Sequence, residues 1–259
     1  MTDADTRQRS AEFRVCGLVP LFNNGDTVAG VVAALRIHVP TVIVVDDGST
    51  DGGPARLATH PDLSGLILVL HARNRGKGAA VQTGAARARA LGFTHVLQMD
   101  ADAQHDAADI PKFLAASRAE PLAVLAGERL FDENAPGSSR FGRRFGMFWY
   151  DLETRHHPLT DTQCGYRVYP LSLFDALPTM GPRMEFDVEV LVRAVWAGLP
   201  VRGIPTHVRY GLPGEHRSHF RPFRDNVRMT WLHTRLSLGA LVRSLPGGRR
   251  WGTGRRVSA

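Results

Sequence analysis

Gln98-Met-Asp-Ala-Asp-Ala-Gln-His105 is the stretch on which the reading of this chain turns. It begins inside a short apolar run, His95 to Met99, that reads as a strand, so its carboxylates start where that strand ends. Asp100, Asp102 and Gln104 are oxygen donors at i, i+2 and i+4, and in an extended segment such side chains share one face. Oxygen donors on one face suit a hard divalent cation, Mg²⁺ or Mn²⁺. Mg²⁺ takes only one or two carboxylates from a protein and completes its shell with phosphates, so the run reads as half of a metal–diphosphate site. On its own an Asp-x-Asp is more often an acidic turn; the segments around it change that balance.

Upstream, Val15 to Leu21 is a short apolar strand. Asp26 or Thr27 can cap a helix whose Val28, Val31, Val32 and Leu35 follow helical spacing. Thr41 to Val45 is a buried strand that ends at Asp46-Asp47-Gly48, Leu66 to Leu70 is a third strand, and Gly76 to Leu91 is an Ala-rich helix. Downstream come a helix over Asp109 to Arg118 and a strand over Leu122 to Ala126. Strands alternating with helices predict an α/β fold with a mostly parallel sheet. Ligands of such sheets bind outside the carboxyl ends of the strands, where Asp46, Asp47, Asp100 and Asp102 all fall.

The second half is less regular. Asp132 to Arg144, rich in Gly, Ser and Arg, reads as a mobile loop; Gly146 to Thr154 and Phe186 to Ala197 read as helices. Val201 to Tyr210 reads as a strand interrupted by Pro205, and a last helix runs from Pro222 to about Arg243. The division expected is a disordered lead-in over 1–12, a catalytic domain over 13–212, an acceptor-side segment with a basic amphipathic helix over 213–245, and a flexible tail over 246–259.

The chain has 259 residues, 43% hydrophobic and 22% charged, enough for a sizeable core. Its net charge of +7 points to an anionic partner: nucleic acid, a membrane surface or a phosphorylated substrate. Two cysteines without CxxC spacing, Cys16 and Cys164, argue against a disulfide scaffold or zinc site and fit a reducing compartment. The polar Met1–Glu12 segment has no signal-peptide core, and no run reaches the 18 or more apolar residues of a membrane span. A cytoplasmic location, with peripheral contact at the cytoplasmic face of the membrane, is the expectation.

Four segments, in order and at strand ends, carry a specific resemblance: Val19-Pro-Leu-Phe-Asn23, Val45-Asp-Asp-Gly-Ser-Thr-Asp51, Asn74-Arg-Gly-Lys-Gly-Ala-Ala80 and Asp100-Ala-Asp-Ala-Gln-His105. Over roughly residues 13–210 the chain resembles the family 2 inverting glycosyltransferases of the GT-A fold. Its nearest branch looks like the dolichyl-phosphate mannosyltransferase and polyprenyl-phosphate glycosyltransferase group. Asp161-Thr-Gln-Cys-Gly-Tyr-Arg167 and Glu185-Phe-Asp-Val-Glu189 are similar to later motifs of that group. The resemblance implies a GDP- or UDP-linked nucleotide sugar as donor and a lipid phosphate or other hydrophobic acceptor. Asp100, Asp102 and Gln104 would hold a metal that bridges the donor diphosphate and stabilises the charge on the leaving group.

The remaining roles follow residue by residue. Pro20 and Asn23 shape the turn beside the nucleotide. Asp47 can accept from a base N–H, and Asp46 can hold a ribose hydroxyl or the loop. Asp51 either contributes to the site or caps the short helix after it. Lys77, at the start of a helix with free N–H groups, favours an anion. Asp161, Glu185 and Asp187, beside Asp102, are candidates to orient or deprotonate an acceptor; a base is needed for a hydroxyl and hardly for a lipid phosphate. Arg167, Arg209 and Arg217 are candidates for an acceptor phosphate, since guanidinium forks match its oxygens. Surface or capping roles remain open for each.

The branch commonly carries a Gly-Glu-Ser-Lys-like segment where this chain has Gly214-Glu-His-Arg-Ser-His-Phe220, and Arg217 to Pro222 resembles glycosyltransferases of aryl polyene pathways, which makes a lipid hydroxyl an alternative acceptor. On the last helix, Phe223, Val227, Trp231, Leu238, Leu241 and Leu245 share one side and Arg221, Arg224, Arg228 and Arg235 a neighbouring stripe. Such a helix can lie on an anionic leaflet or pack on the catalytic domain. A nucleotidyltransferase would show a Gly-rich turn after the first strand, where Phe22-Asn-Asn-Gly25 stands. A nucleic-acid-binding protein would show a recognition motif, and none is present, so no nucleic-acid partner is expected.

Overall fold

The computed structural model of the protein describes residues 13–60, 66–130, 137–177, 180–209 and 222–245. The chain runs β1 (Val15–Leu21), α1 (Val28–Arg36), β2 (Val42–Asp46), α2 (Gly53–Ala58), β3 (Leu66–Leu70), α3 (Lys77–Ala90), β4 (His95–Gln98), α4 (Ile110–Ala119), β5 (Val124–Leu130), α5 (Gly137–Thr154), β6 (Arg167–Pro170), α6 (Leu173–Ala176), α7 (Phe186–Trp196), β7 (Val201–His207) and α8 (Pro222–Ser244), with one 3₁₀ turn over Ala107–Asp109 before α4.

Among the described residues the strands form one seven-stranded sheet in the order β3-β2-β1-β4-β6-β5-β7. β3, β2, β1 and β4 are parallel, as the alternating pattern predicts. All five residues of β2 are buried, which is why its sequence is an unbroken β-branched run capped by an aspartate. The chain winds outward from β1 to β3 and then returns to place β4 on the other side of β1. The ends of β1 and β4 therefore form the topological switch point, where ligands of open α/β sheets bind.

Helices cover both faces. Leu18, Val45, Val96 and Val124 meet α3, α5 and α7 in one core cluster; Val19, Val44, Leu97 and Leu125 meet α1 and α4 in the other. α3 can lie close to the sheet because its facing residues are small: a Cβ at Gly84 would come within 2.2 Å of Leu18. Burial pushes the Cys16 and Cys164 thiols up to about 12, so neither is a nucleophile near neutral pH.

Several expectations need correction. β6 reads as no element in the sequence, yet it pairs antiparallel with both β4 and β5. The loop expected over Asp132 to Arg144 is helical from Gly137, despite the poor helix propensity of glycine; Gln163 Nε2 donates to the Gly142 carbonyl at 3.4 Å. β5 lies later than expected, ending at Leu130. β7 passes through Pro205 without a break. This is tolerated because β7 is an edge strand, where a missing N–H costs no ladder bond; Lys112 Nζ donates to the Pro205 carbonyl. Thr27 makes no cap bond at α1; its hydroxyl donates to Ala101 O at 2.5 Å and ties that helix to the acidic turn.

Candidate active site

The acidic run leaves β4 at the switch point, but it is not extended. It turns over Ala101–Ala103, with Ala103 in the left-handed region at φ 59°, and Asp102 Oδ1 accepts from Gln104 N at 3.1 Å. The alternating-face argument therefore does not apply; the turn, not a pleat, brings Asp100 and Asp102 together. Their proximity shows in their ionisation: burial first, then the Asp100 charge, raises the Asp102 carboxyl above its ordinary value. Gln104 is half-buried, and its carbonyl accepts from Arg209 N at 2.9 Å. This bond and a bridge between His105 and Val208 pin the turn to the segment after β7.

Lys77 opens α3 directly opposite; the free N–H groups expected at this helix start are taken, Gly78 N by the Arg183 carbonyl at 3.3 Å and Ala79 N by the Pro182 carbonyl at 2.7 Å. Gly76 precedes it at φ 106°, a conformation that only glycine adopts without strain. Lys77 Nζ lies 2.9 Å from Asp100 Oδ1 and 2.9 Å from Asp187 Oδ2. Burial would raise the Asp100 carboxyl, but the Lys77 charge outweighs it, with help from His105, and holds it well below the carboxylate range. Burial would lower the Lys77 ammonium; the two carboxylates outweigh that and raise it. His105 Nε2 is 4.0 Å from Asp100 Oδ2.

Asp46 and Asp47 end β2 as expected, and both point into the protein. Asp46 Oδ1 accepts from Ser49 N at 3.1 Å, which is the loop-holding role. Asp47 is 2% exposed. It accepts from Arg75 N at 2.8 Å and Gly76 N at 2.6 Å and contacts His71 Nδ1 at 2.7 Å. The expectation that Asp47 offers an open acceptor to a base is corrected: its carboxylate holds the loop that presents Lys77. Asn23, at φ 51°, accepts from Thr50 N at 2.8 Å and joins the β1 turn to the β2 turn, with Pro20 at the end of β1.

On the other side of the acidic turn lies the segment before β6. Because β6 runs backwards, its N-terminal end arrives beside the C-terminal ends of β4 and β5. Asp161 is fully buried and receives a two-pronged contact from Arg129, Nε at 2.6 Å and Nη2 at 3.1 Å. Gln163 N donates to it as well. Arg167 is also fully buried, and its guanidinium donates to the carbonyls of Cys164, Thr162 and Asp187 and to the Tyr169 hydroxyl. The expectation that Arg167 binds an acceptor phosphate is corrected: it braces the site from beneath. Asp161, held by Arg129, is not disposed as a free base. Glu185 is half-buried and accepts from Arg183 N at 3.3 Å. Arg209 is exposed and pairs with Asp106 at 3.0 Å. Arg217 and the Gly214–Phe220 segment lie outside the described residues.

The donor set fits a hard cation. Among the described residues no group of three or more His, Cys, Asp or Glu is placed to hold a metal ion by itself. Asp100 Oδ1 and Asp187 Oδ1 are nevertheless buried oxygens without a hydrogen-bond donor of good geometry. Two adjacent carboxylates, an open side and spare oxygen lone pairs match a metal that takes the rest of its shell from a phosphorylated ligand.

The architecture and the site at its switch point define a GT-A glycosyltransferase. The chain belongs to glycosyl transferase family 2, whose profile matches residues 17–177. It is 25% identical over 213 residues to a UDP-N-acetylglucosamine–dolichyl-phosphate N-acetylglucosaminyltransferase of Methanococcus voltae, covering 74% of this chain and 84% of that one. It is 27% identical over 204 residues to an undecaprenyl-phosphate mannosyltransferase of Micrococcus luteus, with 74% and 82% covered. In fold it matches glucosyl-3-phosphoglycerate synthase of Mycobacterium tuberculosis, crystallised with Mn²⁺, UDP and glucosyl-3-phosphoglycerate. That match has a TM-score of 0.64 at 18% identity and covers 93% of this chain and 83% of that one.

α8 is the last of the described elements. It packs through Leu232, His233 and Leu236, with Trp149 of α5 stacked on His233 at 5.4 Å and Glu153 bonded to it at 2.8 Å. Its apolar stripe, Val227, Trp231, Leu238, Leu241 and Leu245, faces outward. Arg228 and Arg235 pair with Asp225 and Glu189. α5 leaves a stripe of its own exposed, Phe141, Phe145, Phe148 and Leu152, which the sequence reading did not single out. Among the described residues no helix is long and apolar enough to cross a membrane.

Proposed function

We propose that the protein is a metal-dependent inverting glycosyltransferase that moves a sugar from a GDP- or UDP-linked donor to a polyprenyl phosphate at the cytoplasmic face of a membrane. The observation that carries the reading is the convergence of Asp100, Asp102 and Lys77 at the switch point of the sheet: oxygen donors for Mg²⁺ or Mn²⁺ beside the Lys77 ammonium, the complement of a diphosphate. A divalent ion there would offset the charge that develops on the departing diphosphate. Lys77 steadies the phosphates, while Asn23, Pro20 and Asp46 shape the floor under the nucleoside. The acceptor attacks the anomeric carbon in line from the side of Asp187 and Glu185.

The acceptor class is supported by two relatives named for dolichyl and undecaprenyl phosphate and by the state of the carboxylates. Asp161 is held by Arg129, and a phosphate oxygen, already anionic, needs no base. The outward apolar stripes of α5 and α8 supply a surface for peripheral contact with the lipid phase.

The test is transfer in detergent with Mn²⁺, using a panel of UDP- and GDP-sugars and an undecaprenyl phosphate acceptor. The expected product is a hexosyl polyprenyl phosphate formed one-to-one with nucleoside diphosphate. Turnover on a lipid alcohol but not on the phosphate overturns the acceptor; no metal-dependent use of any donor overturns the reading.

A further inference from the structure

Of the 32 basic residues in the chain only two are lysines, Lys77 and Lys112. One of those two stands in the site, where a compact ammonium on a flexible stem differs most from a rigid guanidinium fork. Lys77 Nζ is 2.9 Å from Asp100 Oδ1, 3.0 Å from Asp100 Oδ2 and 2.9 Å from Asp187 Oδ2. It is almost enclosed, with 13% of its side chain exposed against 25% for Asp100 and 4% for Asp187. The ammonium thus lies across both oxygens of the first carboxylate of the acidic turn. A divalent ion on Asp100 would lie within a few ångströms of that ammonium, and two cations so close in a half-buried site repel strongly.

We propose that Lys77 is a displaceable internal cation: its ammonium and the divalent ion compete for Asp100, and the donor diphosphate resolves the competition by accepting Lys77. This rests on the metal–diphosphate reading above and adds an order to it. Metal alone must evict Lys77 from two carboxylates with no new anion to receive it. Metal with a nucleoside diphosphate brings that anion, so the two bind as a cooperative pair. Transfer of Lys77 to the diphosphate also frees Asp187, at the N-terminus of α7, on the acceptor side. A donor in place thereby changes the charge that an incoming acceptor meets.

Cooperativity of this kind is reciprocal: the factor by which UDP or GDP tightens Mn²⁺ is the factor by which Mn²⁺ tightens the nucleotide. The experiment is a Mn²⁺ titration followed by electron paramagnetic resonance of the free ion, without nucleotide and with UDP or GDP. Wild type is expected to bind Mn²⁺ at least tenfold more tightly with the nucleotide it prefers. Lys77→Met is expected to bind Mn²⁺ alone at least tenfold more tightly than wild type and to lose most of the gain from nucleotide. Mn²⁺ should also raise the Tm of Lys77→Met more than that of wild type, since the ion replaces a missing internal charge.

Lys77→Met leaves Asp100 and Asp187 without their shared cation. If it does not fold, Lys77→Met with Asp187→Asn removes the surplus charge, keeps Asp100, and carries the same titration. Mn²⁺ affinity in the folded variant equal to or below that of wild type overturns the proposal, even when wild type binds Mn²⁺ with nucleotide. Absence of Mn²⁺ binding by wild type with either nucleotide is a different result: it overturns the metal reading and this inference with it.

Discussion

The backbone of Gly165 lies against the carboxylate of Asp100: a Cβ on Gly165 would stand 2.0 Å from Asp100 Oδ2. Gln98 Nε2, buried at the end of β4, donates to the Gly165 carbonyl at 2.9 Å and holds the two segments together. Gly165 thus sets the position of Asp100 by leaving room for it. Gly165→Ala is expected to push the carboxylate aside at little cost to the fold, since the atoms it meets end a side chain. The effect should be a roughly tenfold or greater loss of Mn²⁺–nucleotide affinity, about 1.4 kcal/mol, with Tm little changed. Calorimetry and thermal melting together decide it; unchanged affinity would show that Asp100 is not held from this side.

Asp100→Ala and Asp102→Ala are expected to abolish donor hydrolysis and transfer while circular dichroism remains native. Excess EDTA should do the same to wild type. Full activity in either variant, or in EDTA, would remove the metal assignment.

Asp47→Asn places an amide N–H₂ where two backbone N–H groups and an imidazole now converge. Losing charge-assisted bonds to a buried acceptor costs about 1.5–3 kcal/mol. The expected readout is a lower denaturation midpoint, with nucleotide affinity falling only through disorder of the Lys77 loop. A stable variant with selectively lost base preference would restore Asp47 to direct contact with the base.

Asp51 yields a pH dependence. Burial acts to raise its carboxyl, but hydrogen bonds from the N–H groups of Gly25 and Gly53 outweigh this and lower it. Its contribution to stability is therefore complete above the unfolded value of about 3.9. It is lost as pH falls through the lower folded-state value. Asp51→Asn should reduce Tm at neutral pH and flatten the acid limb of the Tm–pH curve; parallel curves would contradict this.

The outward stripes on α5 and α8 are testable apart from chemistry. Phe145→Ser with Phe148→Ser, and Trp231→Ser with Leu238→Ser, remove apolar groups that are more than half exposed. Each such side chain is worth about 1.5–3 kcal/mol when fully buried. Either pair should weaken co-sedimentation with phosphatidylglycerol vesicles at least tenfold while Tm stays constant. Undiminished sedimentation would assign the stripes to some other contact.

The half of the molecule built by local rules was legible in the sequence. The buried run Val42–Asp46, the valines of α1 and the Gly76-Lys-Gly78 opening of α3 each carry their own signal. What lay hidden depends on partners distant in sequence. Arg129 and Asp161 are 32 residues apart and Lys77 and Asp187 are 110 apart. No spacing announces that these charges are spent on each other. Arg167 read as a phosphate ligand because a guanidinium fork matches phosphate oxygens; here it is buried with carbonyls on three sides. The start of α5 was hidden by its glycines and serines, whose helix propensity is poor.

Pro205 bears on how this protein meets copies of itself. In a parallel strand the N–H and carbonyl of one residue point to the same side, and at Pro205 that side faces away from β5. There the nitrogen carries no hydrogen, and the carbonyl is occupied by Lys112. A foreign strand approaching β7 would find neither donor nor acceptor midway along the edge. Pro205 and Lys112 thereby blunt this edge against lateral pairing.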